Sequence, residues 1–480
     1  MPSSALVHFL CAMLLWCAVL QPAAGSPPNV VLILVDDLGW TDLSCYGSKF
    51  YETPHIDRLA ASGVRMTCGY SACTVCSPTR AAVLTGKYPA RLHITDWIAG
   101  HQRPFAKLRP PAWTQHLPHE EVTIAEMFKA YGYATAHVGK WHLGEEEYGP
   151  LTQGFAVNIG GNHRGQPPAY FFPYERNEIK LPGLSAGQPN EYLTDRLTDE
   201  ASGFITANKD RPFLLYLPHY GVHTPLQAKP EKIARYAAKA DSSNPQHHAT
   251  YAAMIESLDE GIGRLIGHLD KLQLRERTII VFTSDNGGLE LNQVTANDPL
   301  RAGKGSAYEG GVRVPLIVSY PPAIKAGTTS DVPAMSIDLL PTLMNLCGLP
   351  QEETWPAWDG VSIAPALTGQ REVKREALYW HYPHYHPGGA TPYGAVRAGD
   401  WRLIEFYETG ELELYHLKDD VGENRDLAAE QPAKRDELAG LLRKWRTATK
   451  AQMPLPNPDH DPVRDAEAGK GKAKKTTKAG

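Results

Sequence analysis

Short runs of apolar, mostly β-branched residues alternate with helical patterns along most of the chain, and such runs are typical of strands that are buried on both faces of a sheet. From Tyr251 to Leu269, apolar residues recur at the i, i+3, i+4 spacing of a long amphipathic helix. Thr123 and Glu126 have the spacing of a capping box, and Gly132 has the position of a glycine that ends a helix. This alternation predicts an α/β fold with a large, mostly parallel sheet flanked by helices. The predicted strands comprise residues 29–35, 213–217, 278–283 and 316–319.

The pattern changes towards the C-terminus, where strands follow one another directly. Residues 395–404 and 411–415 are predicted strands joined by a turn at 408–410, and residues 433–447 form a predicted helix with an apolar stripe. We therefore expect a second, smaller unit of sheet and helix. Residues 454–480 are rich in Pro, Gly, Ala and Lys and are predicted to be disordered, because they hold too little apolar surface to offset the entropy of ordering.

The first 25 residues differ from the rest of the chain. An almost unbroken apolar run from Ala5 to Leu20 is followed by small residues that suit a signal peptidase. The run is shorter than the ~20 residues of a spanning helix, so we expect a cleaved secretory signal and no stable membrane span, with an N-terminal membrane anchor as the alternative. The predicted units are a signal peptide at 1–25, a large α/β domain at 26–375, an α+β subdomain at 376–453 and a disordered tail at 454–480.

Composition and charge exclude several classes of protein. Hydrophobic residues make up 42% of the 480 residues and charged residues 21%, which argues against a disordered, collagen-like or polytopic membrane chain. A net charge of -5 argues against nucleic acid as the main partner, so any bound anion must be held by local charge. Two of the seven cysteines belong to the signal, and the odd five that remain suggest a free or chemically special thiol. The chain has no N-x-S/T sequon, and the predicted location is a bacterial periplasm or the extracellular space.

Acidic and amide side chains follow two of the predicted strands. Asp36 and Asp37 come directly after residues 29–35, and Asp285 and Asn286 follow the strand at 278–283. Ligands collect at the carboxyl ends of parallel strands, so these four side chains are candidates for one site. Three carboxylates and an amide oxygen suit Ca²⁺ or Mg²⁺ better than zinc. From spacing alone, an equal alternative is that each Asp caps the turn that follows it.

A segment with several cysteines carries the strongest chemical signal. Cys73 and Cys76 form a C-x-x-C pair, which by spacing alone fits a redox disulfide or half of a metal site. A second C-x-x-C is missing from the sequence, and no thioredoxin-like βαβ pattern surrounds the pair. From Cys76 onward, the motif C-S-P-T-R followed by L-T-G-K resembles the signature of the type I sulfatases.

This resemblance implies a nucleophile that is made after translation. In type I sulfatases a maturation enzyme oxidises the motif cysteine to Cα-formylglycine; one hydroxyl of its hydrate attacks sulfur, and the other then loses its proton to expel sulfate. The resemblance implies that Cys76 holds this position and also binds the metal, and that Arg80 holds the nucleophile in place. It also implies an alkaline phosphatase-like α/β domain with a smaller C-terminal antiparallel sheet and helix. The implied metal is Ca²⁺, with Mg²⁺ as the alternative, and its further ligands are Asp36, Asp37, Asp285 and Asn286.

Further motifs of the same family follow in the family's order. The segment G-K-W-H-L-G implies that Lys140 contacts sulfate and that His142 hydrogen-bonds the hydrate and assists sulfate elimination. His223, in an H-x-P element, is implied to face the sulfate ester. Lys304, before the E-G-G-x-R-V-P element, is implied to neutralise charge on the bridging oxygen or to protonate it.

The substrate is expected to be a sulfated carbohydrate, with small aryl sulfates as surrogates. Aromatic and basic side chains in three loops suit a sugar ring that bears anionic groups, although ordinary surface-loop residues are an equal alternative. Two other functions stay open: a phosphate or phosphonate ester hydrolase of the same superfamily, and a non-catalytic relative that binds sulfated glycans. A thiol redox protein would need both cysteines of the C-x-x-C pair. The sequence does not define the oligomeric state, and the candidate substrate-binding residues are His101, Arg103, His163, Arg164 and His384.

Overall fold

The protein is described by a computed structural model that covers residues 27–370 and 373–466. The predicted signal peptide and the end of the predicted tail, from residue 467, lie outside the described residues. The strands are β1 (Asn29–Val35), β2 (Val64–Met66), β3 (Gly69–Tyr70), β4 (Leu108–Arg109), β5 (Ala134–Val138), β6 (Val157–Ile159), β7 (Phe213–Pro218), β8 (Thr278–Ser284), β9 (Leu316–Ser319), β10 (Thr328–Ser330), β11 (Ala334–Met335), β12 (Leu378–Tyr382), β13 (Tyr393–Ala398), β14 (Trp401–Phe406), β15 (Leu412–His416) and β16 (Leu455–Pro456).

Helices connect most of these strands. The α-helices are α1 (Pro54–Ala61), α2 (Cys76–Thr85), α3 (Pro89–Leu92), α4 (Ile124–Ala130), α5 (Leu193–Ala207), α6 (Pro230–Lys239), α7 (Ala249–Lys271), α8 (Glu309–Val312), α9 (Leu339–Leu346), α10 (Ala364–Leu367) and α11 (Pro432–Thr449). Short 3₁₀ helices lie at Ser44–Tyr46, Glu146–Tyr148, Pro150–Thr152, Arg275–Arg277, Leu291–Gln293 and Ser336–Asp338. Among the described residues, no helix is long and apolar enough to cross a lipid bilayer.

The main sheet has eight strands in the order β10-β2-β9-β8-β1-β7-β5-β6. Strands β8, β1, β7, β5 and β6 are parallel to one another, whereas β9 runs antiparallel to both of its neighbours. All four strands predicted from apolar runs are present within one residue of the predicted ends, and the predicted long helix is α7. The predicted α/β fold class is confirmed.

Burial on both faces explains the unbroken apolar run of β1. Successive side chains of a strand point to opposite faces of the sheet. Val31, Ile33 and Val35 pack on one face with α5 and α7, and the residues between them pack on the other face with α2, α4 and α9. Because β1 also lies between β7 and β8, its carboxyl end is at the centre of the sheet edge.

The capping box predicted at the start of α4 is present. The Thr123 hydroxyl oxygen accepts a hydrogen bond from the Glu126 amide at 3.2 Å, and the Glu126 carboxylate accepts one from the Thr123 amide at 2.7 Å. The Thr123 hydroxyl also donates to the carbonyl of Gln153 at 2.8 Å. Gly132 follows the helix with a φ of 81°, a conformation that glycine adopts readily.

The small C-terminal sheet is antiparallel, with the order β12-β13-β14-β15, and α11 packs against it. The predicted single strand at 395–404 is wrong, because the structure has two strands there, β13 and β14. They are joined by a tight turn at Gly399 and Asp400, and Gly399 has a φ of 59°. A glycine with positive φ followed by Asp matches the two-residue turns of β-hairpins, and alternating apolar residues on both sides hide that turn in the sequence.

The chain after residue 453 is more ordered than its composition predicts. Strand β16 pairs antiparallel with β4, and residues 462–466 are helical. The expectation of disorder therefore fails for residues 454–466. These residues are held mainly by main-chain hydrogen bonds and ion pairs, which a prediction from apolar content does not register.

Candidate active site

The carboxyl ends of β1 and β8 bring four polar side chains together. Val35 pairs with Ser284 in the parallel ladder, so the residues that follow each strand are neighbours. The Asp37 amide donates to Asp285 Oδ1 at 3.2 Å, and Asn286 Nδ2 donates to Asp37 Oδ1 at 2.8 Å. Asp36 and these three side chains are all buried. The two pairs thus form one cluster, as their positions after the strands predict.

Helix α2 carries Cys76 to this cluster. Cys76 is its first residue and is only 2% exposed, and Arg80 lies one turn later. The Arg80 guanidinium donates twice to Asp285 Oδ2, at 2.7 and 3.0 Å, and once to the carbonyl of Lys140 at 3.1 Å. Burial raises the pKa of the Cys76 thiol to about 11, although Lys140 and Lys304 oppose the shift. As an unmodified thiol, Cys76 is therefore a poor nucleophile at neutral pH.

Two lysines, Lys140 buried and Lys304 largely buried, pair with the two aspartates that follow β1. Lys140 Nζ lies 2.7 Å from Asp36 Oδ2. Lys304 Nζ lies 2.7 Å from Asp37 Oδ1 and 3.7 Å from the sulfur of Cys76. Burial acts to lower the pKa of Lys304, but the negative charges around it, that of Asp37 above all, together raise that pKa. Burial acts to raise the pKa of Asp37, but the neighbouring positive groups, with Lys304 the largest, together lower it, so this pair is ionised at neutral pH.

Two histidines complete the centre in their neutral forms. His142 Nε2 contacts the carbonyl oxygen of Ile98, so this nitrogen carries the proton and Nδ1 is the acceptor. That Nδ1 is buried and has no partner among the described residues. His223 Nδ1 lies 2.8 Å from the Thr224 carbonyl, and its Nε2 lies 3.6 Å from Asp37 Oδ2. Burial lowers the pKa of His142, and it lowers that of His223 to about 3. Each ring therefore has one nitrogen that can accept a proton.

The donor set fits a hard divalent cation. Oxygen, sulfur and nitrogen atoms of Asp36, Asp37, Cys76 and His223 all lie within 4.8 Å of one another. Asp36 Oδ1 and Asn286 Oδ1 are buried acceptors without a hydrogen-bond partner among the described residues, although Asp36 Oδ1 lies 3.6 Å from a guanidinium nitrogen of Arg80. Unpaired buried oxygens are costly unless something binds them, and carboxylate and amide oxygens are ligands of Ca²⁺ and Mg²⁺. His223 is in this group of four residues, although it is not a predicted metal ligand. Asp285 is a predicted ligand but is not in the group, and its Oδ2 accepts two hydrogen bonds from Arg80.

The predicted substrate-binding residues divide into two groups. His101, Arg103 and His384 line one cavity of about 330 Å³. His384 is only 2% exposed, and its Nε2 lies 2.8 Å from the Thr95 hydroxyl, so it forms the cavity floor. His163 and Arg164 lie elsewhere, beside His142. His163 Nδ1 lies 2.8 Å from the carboxylate of an exposed glutamate, Glu145, and the side chain of Arg164 is exposed.

Several residues around this cavity are not predicted from the sequence. They come from the loop before α4 and from the segment expected to be disordered, and Asp465 in that segment binds Arg103. About 350 positions separate the two segments, so no local spacing relates them. The Pro-x-Pro spacing of residues 454–458 is the one sign of an extended segment. The residues are Arg109, Trp113, Asn457 and Asp459.

Comparisons with known proteins agree with this geometry. The family model described as Sulfatase matches residues 28–349, and the model described as N-sulphoglucosamine sulphohydrolase, C-terminal, matches residues 303–448. A sulfatase of Formosa agariphila is 33% identical over 88% of this chain and 89% of its own length. Human arylsulfatase A is 32% identical over 84% of each chain.

A solved structure extends the comparison to the fold. The structure of Ps i-CgsB in complex with k-i-k-neocarrahexaose is 29% identical to this chain, with a TM-score of 0.74, over 95% of this chain and 100% of that one. The chain therefore belongs to the sulfatase family of the alkaline phosphatase superfamily and is a hydrolase of sulfuric esters.

Proposed function

We propose that this protein hydrolyses sulfate monoesters of a carbohydrate, with residue 76 as the nucleophile after its conversion from cysteine to Cα-formylglycine. The observation that carries the proposal is the position of Cys76, at the start of α2 and among the charges of Arg80, Lys140 and Lys304. A buried thiol with a raised pKa is a poor nucleophile, so modification gives this position its chemistry.

The proposed metal is Ca²⁺, and Mg²⁺ suits the same oxygen donors. Its ligands are residue 76, Asp36, Asp37, Asp285 and Asn286, with His223 beside them. The unpartnered oxygens of Asp36 and Asn286 support this assignment. When bound, a divalent cation supplies positive charge that polarises a sulfate oxygen.

The side chains of the centre oppose charge and move protons. A sulfate monoester carries one negative charge, and its leaving oxygen gains more as the bond to sulfur breaks. Lys140 and Lys304 direct buried positive charge at this region, and Lys304 is close enough to residue 76 to stabilise or protonate the leaving oxygen. His142 accepts a proton at Nδ1 and His223 at Nε2, and Asp37 stabilises the imidazolium that forms at His223.

A carbohydrate substrate is supported by the cavity and by one structural relative. Ps i-CgsB binds k-i-k-neocarrahexaose, and its structure matches nearly the whole of this chain. The cavity that holds His101 and Arg103 also contains the half-buried ring of Trp113, and aromatic and polar side chains together suit sugar rings. The apolar run within residues 1–25 supports export to the periplasm or beyond. A formylglycine-generating enzyme is then a required partner.

The proposal is tested by mass and by activity on protein produced together with a formylglycine-generating enzyme. The tryptic peptide that contains Cys76 is expected to weigh about 18 Da less than its thiol form, as the conversion requires. The protein is expected to hydrolyse 4-nitrophenyl sulfate faster than 4-nitrophenyl phosphate. A faster reaction with the phosphate would instead support a phosphate ester hydrolase.

A pair of cysteine variants separates this mechanism from thiol redox chemistry. We expect Cys76→Ser to lower the rate by at least about 10³-fold, because it removes the nucleophile. The matched control Cys73→Ser is expected to keep the rate within a small factor, because the Cys73 side chain is buried among apolar residues of the C-terminal sheet. Equal losses in both variants would contradict the proposal.

A further inference from the structure

The last described residues form a strap across the loop that follows α3. We define the C-terminal strap as residues 455–466 and the cavity loop as residues 96–109. Strand β16 of the strap pairs with β4 of the loop. Asn457 Nδ2 donates to the carbonyls of Pro104 and Ala106 at 2.9 and 2.8 Å, and the Asp461 amide donates to that of Phe105 at 3.2 Å. The strap therefore fixes the main chain of the loop.

An ion pair also fixes one loop side chain. The Arg103 guanidinium donates to both carboxylate oxygens of Asp465, at 3.0 and 2.5 Å, and lies over the ring of Tyr385 at 4.9 Å. The pair is partly buried and bidentate, which makes it stronger and more directional than an exposed contact. The strap thus sets the direction of Arg103 and compensates its charge.

The other end of the cavity loop contacts the catalytic centre. The carbonyl of Ile98 binds His142 Nε2, and the amide of Ile98 donates to the hydroxyl of Ser77 at 3.2 Å. Ser77 follows Cys76 directly. The loop therefore connects the reacting centre to the strap within about ten residues.

The cavity lies between the loop and the strap, and its lining carries charges of both signs. Asn457 and Asp459 of the strap line it, together with Trp113, Arg109 and Asp96. Arg109 makes no ion pair within the described residues, and the acidic side chains of the lining balance its positive charge. An aromatic ring with balanced polar groups suits a hydroxyl-bearing sugar better than a second sulfate, and about 330 Å³ is within the range of small-molecule sites.

We propose that the C-terminal strap forms one wall of the binding site for a neutral sugar unit next to the sulfated one. Asp465 is a positioning residue that acts through Arg103. This inference rests on the proposed function. It assigns to the C-terminal strap, which is far in sequence from every sulfatase motif, an effect on how tightly an extended substrate binds.

The test compares a large substrate with a small one. 4-Nitrophenyl sulfate needs only the catalytic centre. The large substrate is whichever of two sulfated hexasaccharides, one from carrageenan and one from a glycosaminoglycan, is hydrolysed faster. We expect Asp465→Asn to raise KM for the hexasaccharide about tenfold, the scale of one charge-assisted contact, and to leave its kcat and the aryl sulfate kinetics unchanged. Asp465→Glu is expected to restore most of the affinity, and the surface variant Asp436→Asn is the matched control.

Two truncations test the strap as a whole. A chain that ends at Ala466 keeps the strap and is expected to match the full-length protein. A chain that ends at Met453 lacks it and is expected to lose affinity for the hexasaccharide while it keeps aryl sulfate activity. If the shorter chain does not fold, Asn457→Ala removes two strap contacts within the full chain and is expected to raise the same KM.

The outcomes separate this inference from the proposed function. An unchanged hexasaccharide KM in Asp465→Asn and Asn457→Ala, or equal losses for both substrates, would overturn the role of the strap. Activity on aryl sulfate without activity on either hexasaccharide would overturn both the proposed carbohydrate substrate and the proposed sugar site beside the strap. If neither substrate class is hydrolysed, the proposed function fails, while faster amide hydrogen exchange of residues 101–109 in Asp465→Asn would still show that the strap orders the loop.

Discussion

Lys304 is the residue that the proposed mechanism assigns to the leaving group. It is held by Asp37 and lies 3.7 Å from the sulfur of Cys76. Lys140 is instead held by Asp36. The proposed mechanism assigns Lys140 to a sulfate oxygen and Lys304 to the leaving oxygen, so their removal should have different effects.

The variant Lys304→Met keeps the length of the side chain and removes its charge. We expect kcat for an alkyl sulfate to fall by about 10²–10³-fold, because the departing alkoxide loses its buried cation. The fall should be smaller for 4-nitrophenyl sulfate, whose leaving group is already stable as an anion. Steady-state rates across a series of esters with different leaving-group pKa values measure this difference. Lys325→Met, at an exposed lysine, is the control, and equal losses for all esters would contradict the assignment.

At the scale of elements, α4 shows how one hydroxyl stabilises a helix that underlies the sheet. The helix has only seven residues, too few to be stable alone. Its apolar side packs among the residues of the main core, and its start depends on the Thr123 hydroxyl, which caps the helix and binds Gln153.

Replacement of this hydroxyl tests the cap. We expect Thr123→Ala to lower the free energy of unfolding by about 1–2 kcal/mol, since a helix N-cap and a buried hydrogen bond are both lost. Thr123→Ser keeps the oxygen and should lose much less. Thermal unfolding measures both, and the kcat of the folded enzyme should stay unchanged in each. A melting temperature that falls equally in the two variants would show that the lost methyl group, and not the cap, matters.

At the scale of the whole molecule, a buried charge cluster joins the two sheets. Glu309, on α8, contacts Arg402 of β14, and the Glu309 amide donates to Glu423 Oε2 at 2.7 Å. Arg402 Nε also lies 3.6 Å from Glu423 Oε1, and the Arg301 guanidinium binds the Glu423 carbonyl. Two carboxylates thus share one fully buried arginine. Burial raises the pKa of Glu423 well above 4.5, with Glu309 adding to the rise, while Arg402, the largest opposing charge, lowers the pKa of Glu309 despite its burial.

The raised pKa makes stability depend on pH with a definite sign. A carboxyl that holds its proton more tightly when folded stabilises the protein fully below pH 4.5, and this contribution is lost as the pH rises through the folded-state pKa. Glu423→Gln imitates the protonated form at every pH. We therefore expect its melting temperature to exceed that of the unmodified chain by an amount that grows from pH 5.5 to 8.5.

The partner carboxylate is the control for this prediction. Glu309→Gln leaves Arg402 and Arg313 less compensated, so we expect a loss of about 3–5 kcal/mol at pH 7. A gap between Glu423→Gln and the unmodified chain that stays constant from pH 5.5 to 8.5 would mean that Glu423 is already ionised in the folded state.

Much of the fold and of the catalytic centre could be predicted because its signals are local. The apolar runs of β1 and β8 define their strands, and the polar residues that follow each run lie at one sheet edge by the geometry of parallel strands. The sulfatase motifs then identify Cys76, Arg80 and Lys140 as candidate site residues. The structure brings all of them into one buried cluster.

The parts that could not be predicted depend on contacts between distant segments. The hairpin at Gly399 is hidden in an alternating pattern that also fits one long strand. The C-terminal strap has little apolar surface, and its order comes from the pairing of β16 with β4 and from Arg103 with Asp465, 362 positions away. Ion pairs and main-chain pairing over such distances leave no periodic trace in a single sequence.

If residue 76 is converted to formylglycine as proposed, the burial of Cys76 sets a time limit on that conversion. Lys304, which contacts its sulfur, is made 228 residues later, and at ribosomal rates this takes roughly 10–45 s. Until then the segment around Cys76 cannot complete the packing that leaves it 2% exposed. A modifying enzyme that needs the free segment must act within this interval or on a chain that is still unfolded. Under the proposed function, the fraction of active enzyme should therefore depend on competition between modification and folding, and we expect slower folding to increase the yield of active protein.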